Sequence, residues 1–518
     1  MQYAASVVLN LERSAQRDPQ RCAIQAGDHR VTYGELWRRT QALAGYLCAQ
    51  GLRPGDRVAL LLENSPDYVA ALYGTLLSGG IAVTLNAAAK ARELGAWLAH
   101  SEARWLVTDA DRGEASLALS GLPAPPAVID TGARAAVHTI EPAALLPEIY
   151  AAQLPAAGGR ATLDGARPAC IVYTSGTTGA PKGVVLTHAN LASNTASITE
   201  YLGLTGEDSV LSILPFYYSY GSSVLHSHLL AGGRVVLEPN FVYPHKVVAS
   251  LAHERVTGFA GVPSTYALLL GRVDLRQHDL SGLRYVTQAG GAMSPALTRT
   301  LQQALPHVRL FVMYGQTEAT ARLTYLPPAM LERKLGSVGI AIPGVQIQVR
   351  REDGTPAAAM EPGEVWAHGP NVMQGYWRDP GMTRQVLQDG WLRTGDLGYQ
   401  DEDGYLHLSG RRSDMIKTGA HRVHPADIEQ VIEEIAGVAE VAVAGIDDEI
   451  LGQAIAAYIV AAPGAALDAQ HIKMHCRNRL ASYKIPKSVE FLGALPRTRS
   501  GKVRRHELAL TSTIRKTS

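Results

Sequence analysis

A buried, β-prone run, Ala169-Cys170-Ile171-Val172-Tyr173, empties directly into a loop of small and hydroxylated residues that ends at Lys182-Gly183. A short apolar run bounded by turn residues reads as a core strand, so the loop leaves the edge of a packed sheet. Gly176, Gly179 and Gly183 let backbone N–H groups turn toward one point without interference from a Cβ. Thr174, Ser175, Thr177 and Thr178 add hydroxyls, and Lys182 adds a positive charge. Such a concavity suits a polyphosphate. The spacing is not that of the Walker loop, because Pro181 rather than glycine stands five residues after Gly176. A flexible linker would rarely carry Pro-Lys-Gly or follow a core strand.

The flanking sequence predicts which sheet that strand joins. Thr32 and Glu35 have capping-box spacing ahead of a helical pattern that runs to about Gln50 and stops at Gly51 and Pro54-Gly55. Arg57–Leu62 reads as a buried strand, Pro66–Leu77 as a helix, Ile81–Leu85 as a strand, Ala89–His100 as a helix and Trp105–Thr108 as a strand. Such alternation predicts an α/β fold with parallel sheet under helices. The pattern resumes with strands at Val210–Leu214, Arg234–Leu237, Gly258–Gly261 and Leu283–Thr287. Residues 121–168, rich in Ala, Pro and Gly, read as a loosely structured connection. Period-two alternation at Val345, Ile347 and Val349, with a turn at Asp353-Gly354, predicts a smaller β-rich unit over 336–409. Beyond Gly410-Arg411-Arg412-Ser413-Asp414 a compact α+β unit follows, with helices at Pro425–Ile435 and His471–Leu480. The expected domains are therefore 1–412 and 413–518.

At 518 residues, 46% apolar and 18% charged, the composition is that of a globular enzyme-sized protein. A formal net charge of +1 argues against nucleic acid or an anionic membrane as partner. The N-terminal residues lack the basic and apolar regions of a signal peptide, and no long uncharged apolar run predicts a membrane span. Cys22, Cys48, Cys170 and Cys476 have no spacing for zinc or a disulfide framework, which points to a reducing cytoplasm. A homodimer is compatible with this composition.

Four further segments carry chemistry. Tyr314-Gly315-Gln316-Thr317-Glu318 sets a carboxylate beside an aromatic ring and a glycine-softened turn. Trp391-Leu392-Arg393-Thr394-Gly395-Asp396 sets another after a tight turn. Gly410-Arg411 to Lys417-Thr418-Gly419 is a basic, glycine-containing junction, and Arg497-Thr498-Arg499-Ser500-Gly501-Lys502 ends in a lysine after a flexible Ser-Gly. In this order, from Thr32 to Lys502, the segments resemble the adenylate-forming superfamily: acyl- and aryl-CoA ligases, peptide-synthetase adenylation domains and firefly luciferase.

The resemblance implies a large N-terminal domain of two α/β subdomains and a small β-barrel-like one, a small mobile C-terminal domain, and ATP bound between them. It implies that a carboxylic acid is converted to an acyl-adenylate with release of pyrophosphate, then transferred to the thiol of coenzyme A or of a carrier-protein phosphopantetheine. Two anions meet in the first step, so positive charge must offset their repulsion. By resemblance Lys182 and the loop Thr174, Ser175, Gly176, Thr177, Thr178 and Gly179 hold the leaving phosphates. Glu318 is the Mg2+ ligand, with Thr174 as a second contact. Tyr314 stacks on adenine beside Gly315 and Thr317, Asp396 accepts the ribose hydroxyls, and Arg411 contacts ribose or phosphate. Gly290, Gly291 and Ala292 lie along the adenine and acyl group. Lys502 reaches the substrate carboxylate and α-phosphate, and Ser413 occupies a hinge position that usually carries Asp or Lys. Gly419 faces the thiol tunnel, with His421 on the same segment.

Amino-acid-activating relatives pair the substrate ammonium with an acid. Leu214-Pro215-Phe216-Tyr217-Tyr218-Ser219-Tyr220-Gly221 contains none, and an unpaired buried ammonium is expensive. An apolar acyl or aryl acid is therefore expected, with Tyr218, Ser219 and Gly291 in its pocket. His226 and His228, two apart on a helix, do not share a face and read as structural rather than metal-binding.

Overall fold

The computed structural model describes residues 5–109, 111–132, 142–152, 163–174, 181–238, 243–291, 293, 295–411, 416–423, 425–496, 503, 505 and 507–508. Among these, an eight-stranded sheet runs in spatial order Gly375–Tyr376, Lys182–Thr187, Pro168–Thr174, Ile81–Thr84, Arg57–Leu61, Trp105–Thr108, Ala127–Asp130 and Ala144–Leu145. The first two pairings are antiparallel and the others parallel. A nine-stranded sheet runs Ile340–Ala341, Thr324–Leu326, Arg309–Tyr314, Tyr285–Gln288, Gly258–Gly261, Ser209–Ser212, Arg234–Leu237, Cys22–Ala26 and His29–Thr32, antiparallel only at its two ends.

One apolar core joins both sheets: Val58 and Leu60 from the first and Ile24 and Val210 from the second share it with Tyr68 and Tyr73. Those tyrosines sit on Pro66–Leu77, capped by Ser65 accepting from the Tyr68 amide and buried over nearly its whole surface. A helix sandwiched between two sheets must be apolar all round, which is why this segment carries a single charge, Asp67. Thr32 caps Tyr33–Ala49 as its spacing predicts, but Glu35 turns away to Arg38 and Arg39 rather than closing the box.

An antiparallel five-stranded sheet follows, built from Gln346–Arg350, Gly363–His368, Trp391–Gln400, Leu387–Gln388 and Leu406–Arg411. The C-terminal sheet joins His421–Val423, Ile416–Thr418, Gly452–Ala461, Val438–Asp448 and Ser488–Phe491. Its core packs against Pro425–Glu433 and Ala469–Arg477 through Ile428, Ile432 and Ile472.

Two expectations need correction. Residues 121–168 are not merely a connection: Ala127–Asp130 extends the eight-stranded sheet, and Leu146–Ala151 buries Leu146, Ile149 and Tyr150. Short apolar pairs between prolines were enough for a sheet edge, although they show no period. The segment before Asp396 is not a tight turn; it lies within the strand Trp391–Gln400, where pairing with Gly363–His368 slips at a β-bulge and Gly395 adopts φ +72°. A bulge re-aims the side chain that follows it, here Asp396.

Candidate active site

Residues at or just past the C-terminal ends of strands from both large sheets, among them Thr84, Thr174, Val262, Ala289 and Gly315, border one crevice, the usual place for a ligand in α/β sheets. Between those ends and the C-terminal sheet lies a cavity of about 720 Å³. Thr174 and Lys182 border it and face each other as paired residues of an antiparallel ladder. That pair closes the base of the predicted phosphate loop, so Lys182 is delivered from a strand rather than a free tip. Ser175, Gly176, Thr177, Thr178, Gly179, Ala292, Ser413 and Lys502 lie outside the described residues, as does the hinge sequence 412–415.

The strand Arg309–Tyr314 delivers the second group. Gly315 follows at once, and a Cβ there would lie 2.0 Å from the Ala321 carbonyl oxygen. Only glycine lets the chain fold back so tightly, and the return places Gln316, Thr317 and Glu318 on the cavity wall. One Glu318 oxygen accepts from the Tyr376 hydroxyl at 2.9 Å. Thr320, two residues on, holds φ +66°, uncommon for a β-branched residue, and its hydroxyl donates to the Asn371 carbonyl at 2.6 Å. Asn371 is buried and donates in turn to the carbonyls of Ala319 (3.2 Å) and Arg322 (2.8 Å). The carboxylate-bearing turn is thus strained but clamped. The Tyr314 hydroxyl donates to Asp396 at 2.6 Å, joining the two acid-bearing segments. Both groups are buried, just behind the lining contributed by Gly315, Thr394 and Gly395. The backbone of Arg411 pairs directly with Asp396.

A third wall comes from the turn before the helix Ser219–Ala231. Tyr217, Tyr218, Ser219 and Tyr220 line the cavity, as does Gly290. The Ser219 and Thr317 hydroxyls stand 3.3 Å apart. The Gly291 carbonyl accepts from the Gln288 amide at 2.8 Å. His226 and His228 behave as structural groups. The first meets the Tyr73 hydroxyl at 2.6 Å and the second the Tyr285 hydroxyl at 2.6 Å. Burial pushes both down to about 4.

The C-terminal domain supplies the last wall. Ala420 and Arg422 border the cavity, and Arg422 donates to the Gly315 carbonyl at 3.4 Å. Gly419 turns with φ +58°, and a Cβ there would stand 3.5 Å from the Ser264 hydroxyl oxygen of the large domain. His421 stacks on Tyr483, centroids 3.7 Å apart, and both reach Tyr218, whose hydroxyl lies 3.4 Å from His421 Nδ1 and donates to Tyr483 at 3.3 Å. Burial, helped by the nearby Lys484 charge, pushes His421 down to about 4. Lys484 is buried at the same seam and donates to Glu93 of the large domain at 2.6 Å and to Asp427 at 3.1 Å. Burial alone would lower its pKa, but the two carboxylates outweigh that and hold it above the ordinary lysine value. Sequence reasoning named His421 and Tyr218 but missed their partners at this seam, Tyr483 and Lys484, together with Asn371 and Arg322. None belongs to a motif with recognisable spacing, and their partners are 49 to 391 residues away.

Comparison with known proteins agrees with this geometry. The AMP-binding enzyme family matches residues 11–377, and the AMP-binding enzyme C-terminal domain matches 427–502. A feruloyl-CoA synthase from Amycolatopsis sp is 36% identical over 96% of this chain and 97% of its own. A 2-succinylbenzoate–CoA ligase from Bacillus licheniformis is 34% identical over 96% and 98%. A double mutant of the o-succinylbenzoate CoA synthetase of Bacillus subtilis, solved with a product analogue, superposes with TM-score 0.86 at 31% identity, covering 96% of this chain and 98% of that one. The same enzyme solved with its acyl-adenylate intermediate gives only 0.70 at equal identity, over 96% and 97%. With both domains matched in order and relatives aligned end to end, the chain belongs to the AMP-binding enzyme family.

Proposed function

We propose that this protein is an AMP-forming acid–CoA ligase for an apolar acyl or aryl carboxylic acid: ATP converts the acid to an acyl-adenylate with release of pyrophosphate, and the CoA thiol then displaces AMP. The observation that carries the second half is the placement of Gly419–Arg422. That segment closes the cavity from the C-terminal side, with its glycine where a thin chain could pass close to backbone. The higher superposition score on the product-analogue complex supports the same arrangement. A carrier-protein thiol in place of CoA is the second reading.

In the first half-reaction Lys182, the loop 174–179 and the Gly290–Ala292 segment receive the nucleotide, with Tyr314, Gly315 and Thr317 at the base, and Asp396 and Arg411 at the ribose. Glu318 fits a magnesium ion that arrives with the nucleotide: it borders the cavity as a hard carboxylate, and Mg2+ is commonly held by one or two carboxylates plus phosphate oxygens. Among the described residues no cluster of acids, histidines and cysteines could cage a metal alone, which suits that arrangement. When bound, the ion supplies charge neutralisation at the phosphates. Lys502 is assigned to the α-phosphate and substrate carboxylate, so Lys502→Ala should lower pyrophosphate exchange roughly 10²–10³-fold, the usual cost of a lost transition-state donor. Tyr218, Ser219 and Gly291 border the acyl group.

For the second half-reaction the C-terminal domain turns about the Ser413 region, the boundary between domains 1–412 and 413–518, and brings Gly419 over the cavity. Among the described residues no helix is long and apolar enough to cross a membrane, and the four cysteines are free, which fits a reducing cytoplasm. The test is ATP–pyrophosphate exchange over ferulate, indoleacetate, 2-succinylbenzoate and fatty acids, followed by thioester formation with CoA against holo-carrier protein. Exchange with acids and thioester only on carrier protein would replace the first reading by the second. Absence of exchange with every acid would sink both.

A further inference from the structure

Arg322 follows the clamped turn that carries Glu318 and borders the cavity, yet its side chain is 2% exposed. Its guanidinium carbon sits 4.1 Å above the centre of the Tyr220 ring. Its Nε and Nη1 are buried and have no hydrogen-bond partner. Among the described residues no Asp or Glu pairs with it. Its polar neighbours are neutral, and the Tyr201 hydroxyl hydrogen-bonds the guanidinium without supplying a charge. The Tyr220 hydroxyl is 2.9 Å from both Thr287 oxygens. The Tyr201 hydroxyl donates to Met313 Sδ at 3.0 Å; burial pushes it up to about 12, with the Arg322 charge pulling the other way. The backbone is fixed as well, since Asn371 and Asn194 both donate to the Arg322 carbonyl, at 2.8 and 3.1 Å.

A buried cation without an anion is strongly unfavourable, and an aromatic face recovers only part of that cost. A guanidinium is not deprotonated inside a protein, so it cannot escape by becoming neutral. Its fork of N–H donors matches the two oxygens of a carboxylate. The carboxyl group being adenylated is not that partner, because the proposed adenylation already gives it to Lys502 and the α-phosphate. We propose that the acid substrate carries a second carboxylate, at the far end of its acyl or aryl body, and that Arg322 receives it against the face of Tyr220. This rests on the reading that the cavity takes a carboxylic acid with an apolar acyl or aryl body, adds a charge at the end of that body, and makes Arg322 a specificity-determining residue.

The experiment compares matched acids in pyrophosphate exchange: phenylpropionate against its para-carboxy derivative, and straight-chain monoacids against diacids over a series of lengths. The wild type should prefer at least one diacid over its monoacid by roughly 10²-fold or more in kcat/KM, since a site built around a buried polar group rejects analogues that leave it unpaired. Arg322→Gln should lose that preference by lowering the diacid alone, with monoacids within threefold of wild type. Arg322→Lys should restore little, because the fork is gone. Wild type that favours the monoacid of every pair overturns the proposal while leaving the ligase reading intact, as does Arg322→Gln lowering monoacids and diacids equally. Should Arg322→Gln fail to fold, the wild-type ratios decide, together with ligand melting curves in which the preferred diacid, without ATP, must raise Tm more than its monoacid.

Discussion

Two buried cations border the same cavity and are treated in opposite ways. Lys484, on the C-terminal domain, is saturated: Glu93 and Asp427 both accept from it. Arg322, on the large domain, has an aromatic face and two unpartnered nitrogens. The contrast follows from what each must do. Lys484 sits where two domains meet, so its bond to Glu93 ties one domain to the other without help from a ligand. Arg322 stands in one rigid domain, where pairing within the protein would leave nothing for a substrate. A cation completed by the chain serves as a latch, and one left incomplete serves as a receptor.

The largest expected effect tests the latch. Removing one partner of a buried ion pair costs about 3–5 kcal/mol because the other charge is left unpaired, and Lys484→Met would leave Glu93 and Asp427 facing each other. Thioester formation should fall roughly 10²-fold, while pyrophosphate exchange, which does not need this seam, should stay within threefold of wild type. A parallel loss in both half-reactions would break the comparison, since Lys484 would then be a general fold residue. Burial already pushes the Asp427 carboxyl up, with Lys484 opposing it. Acid should therefore partly rescue Lys484→Met by protonating one of the two carboxylates.

A smaller effect comes from the histidine in the same seam. His421 is held neutral by burial and by Lys484, its pKa pushed from 6.5 down to about 4. A site with a lowered histidine pKa must release a proton on closing whenever the open form is charged, so the closed arrangement weakens as pH falls below 6.5 and the loss continues toward 4. One pH unit below 6.5, thioester formation should have dropped by up to about tenfold. Exchange should be flatter, and His421→Phe should flatten the thioester profile while keeping the stack on Tyr483. An unchanged slope in His421→Phe would remove the histidine from the seam's energetics.

The difference between latch and receptor was not legible in the sequence, although much around it was. Strands such as Gly258–Gly261 and Trp105–Thr108 and the helix Pro66–Leu77 lie where their patterns place them, because a short buried element between glycines or prolines needs only local information. Glu318, Asp396 and Lys182 stood out because a carboxylate or lysine beside a glycine turn is a local signal, and the fold brings their segments to one cavity. Arg322 gave no such signal. Five residues of ordinary composition separate it from Gln316, and its meaning arises only when Tyr220 packs on it from a distant helix. Lys484 likewise becomes informative only once Glu93, 391 positions away, closes on it. Ala127–Asp130 was missed for the opposite reason, since a strand of four residues, next to last in its sheet, can be recruited by the strands on either side without a period of its own.

The smallest effect concerns what keeps the receptor in place. Asn371 touches neither cavity cation through its charge, yet its amide holds the Ala319 and Arg322 carbonyls. Asn371→Ala removes both bonds and leaves buried acceptors short of a donor, a loss of about 1–3 kcal/mol in urea unfolding. Asn194 still donates to Arg322, so the guanidinium should be loosened rather than released. A positioning role predicts a split: KM for a diacid should rise a few-fold, KM for the matched monoacid should not move, and kcat should change equally for both. Equal rises in KM would mean that Asn371 supports the Glu318 turn alone, and the link from that clamp to Arg322 would be broken.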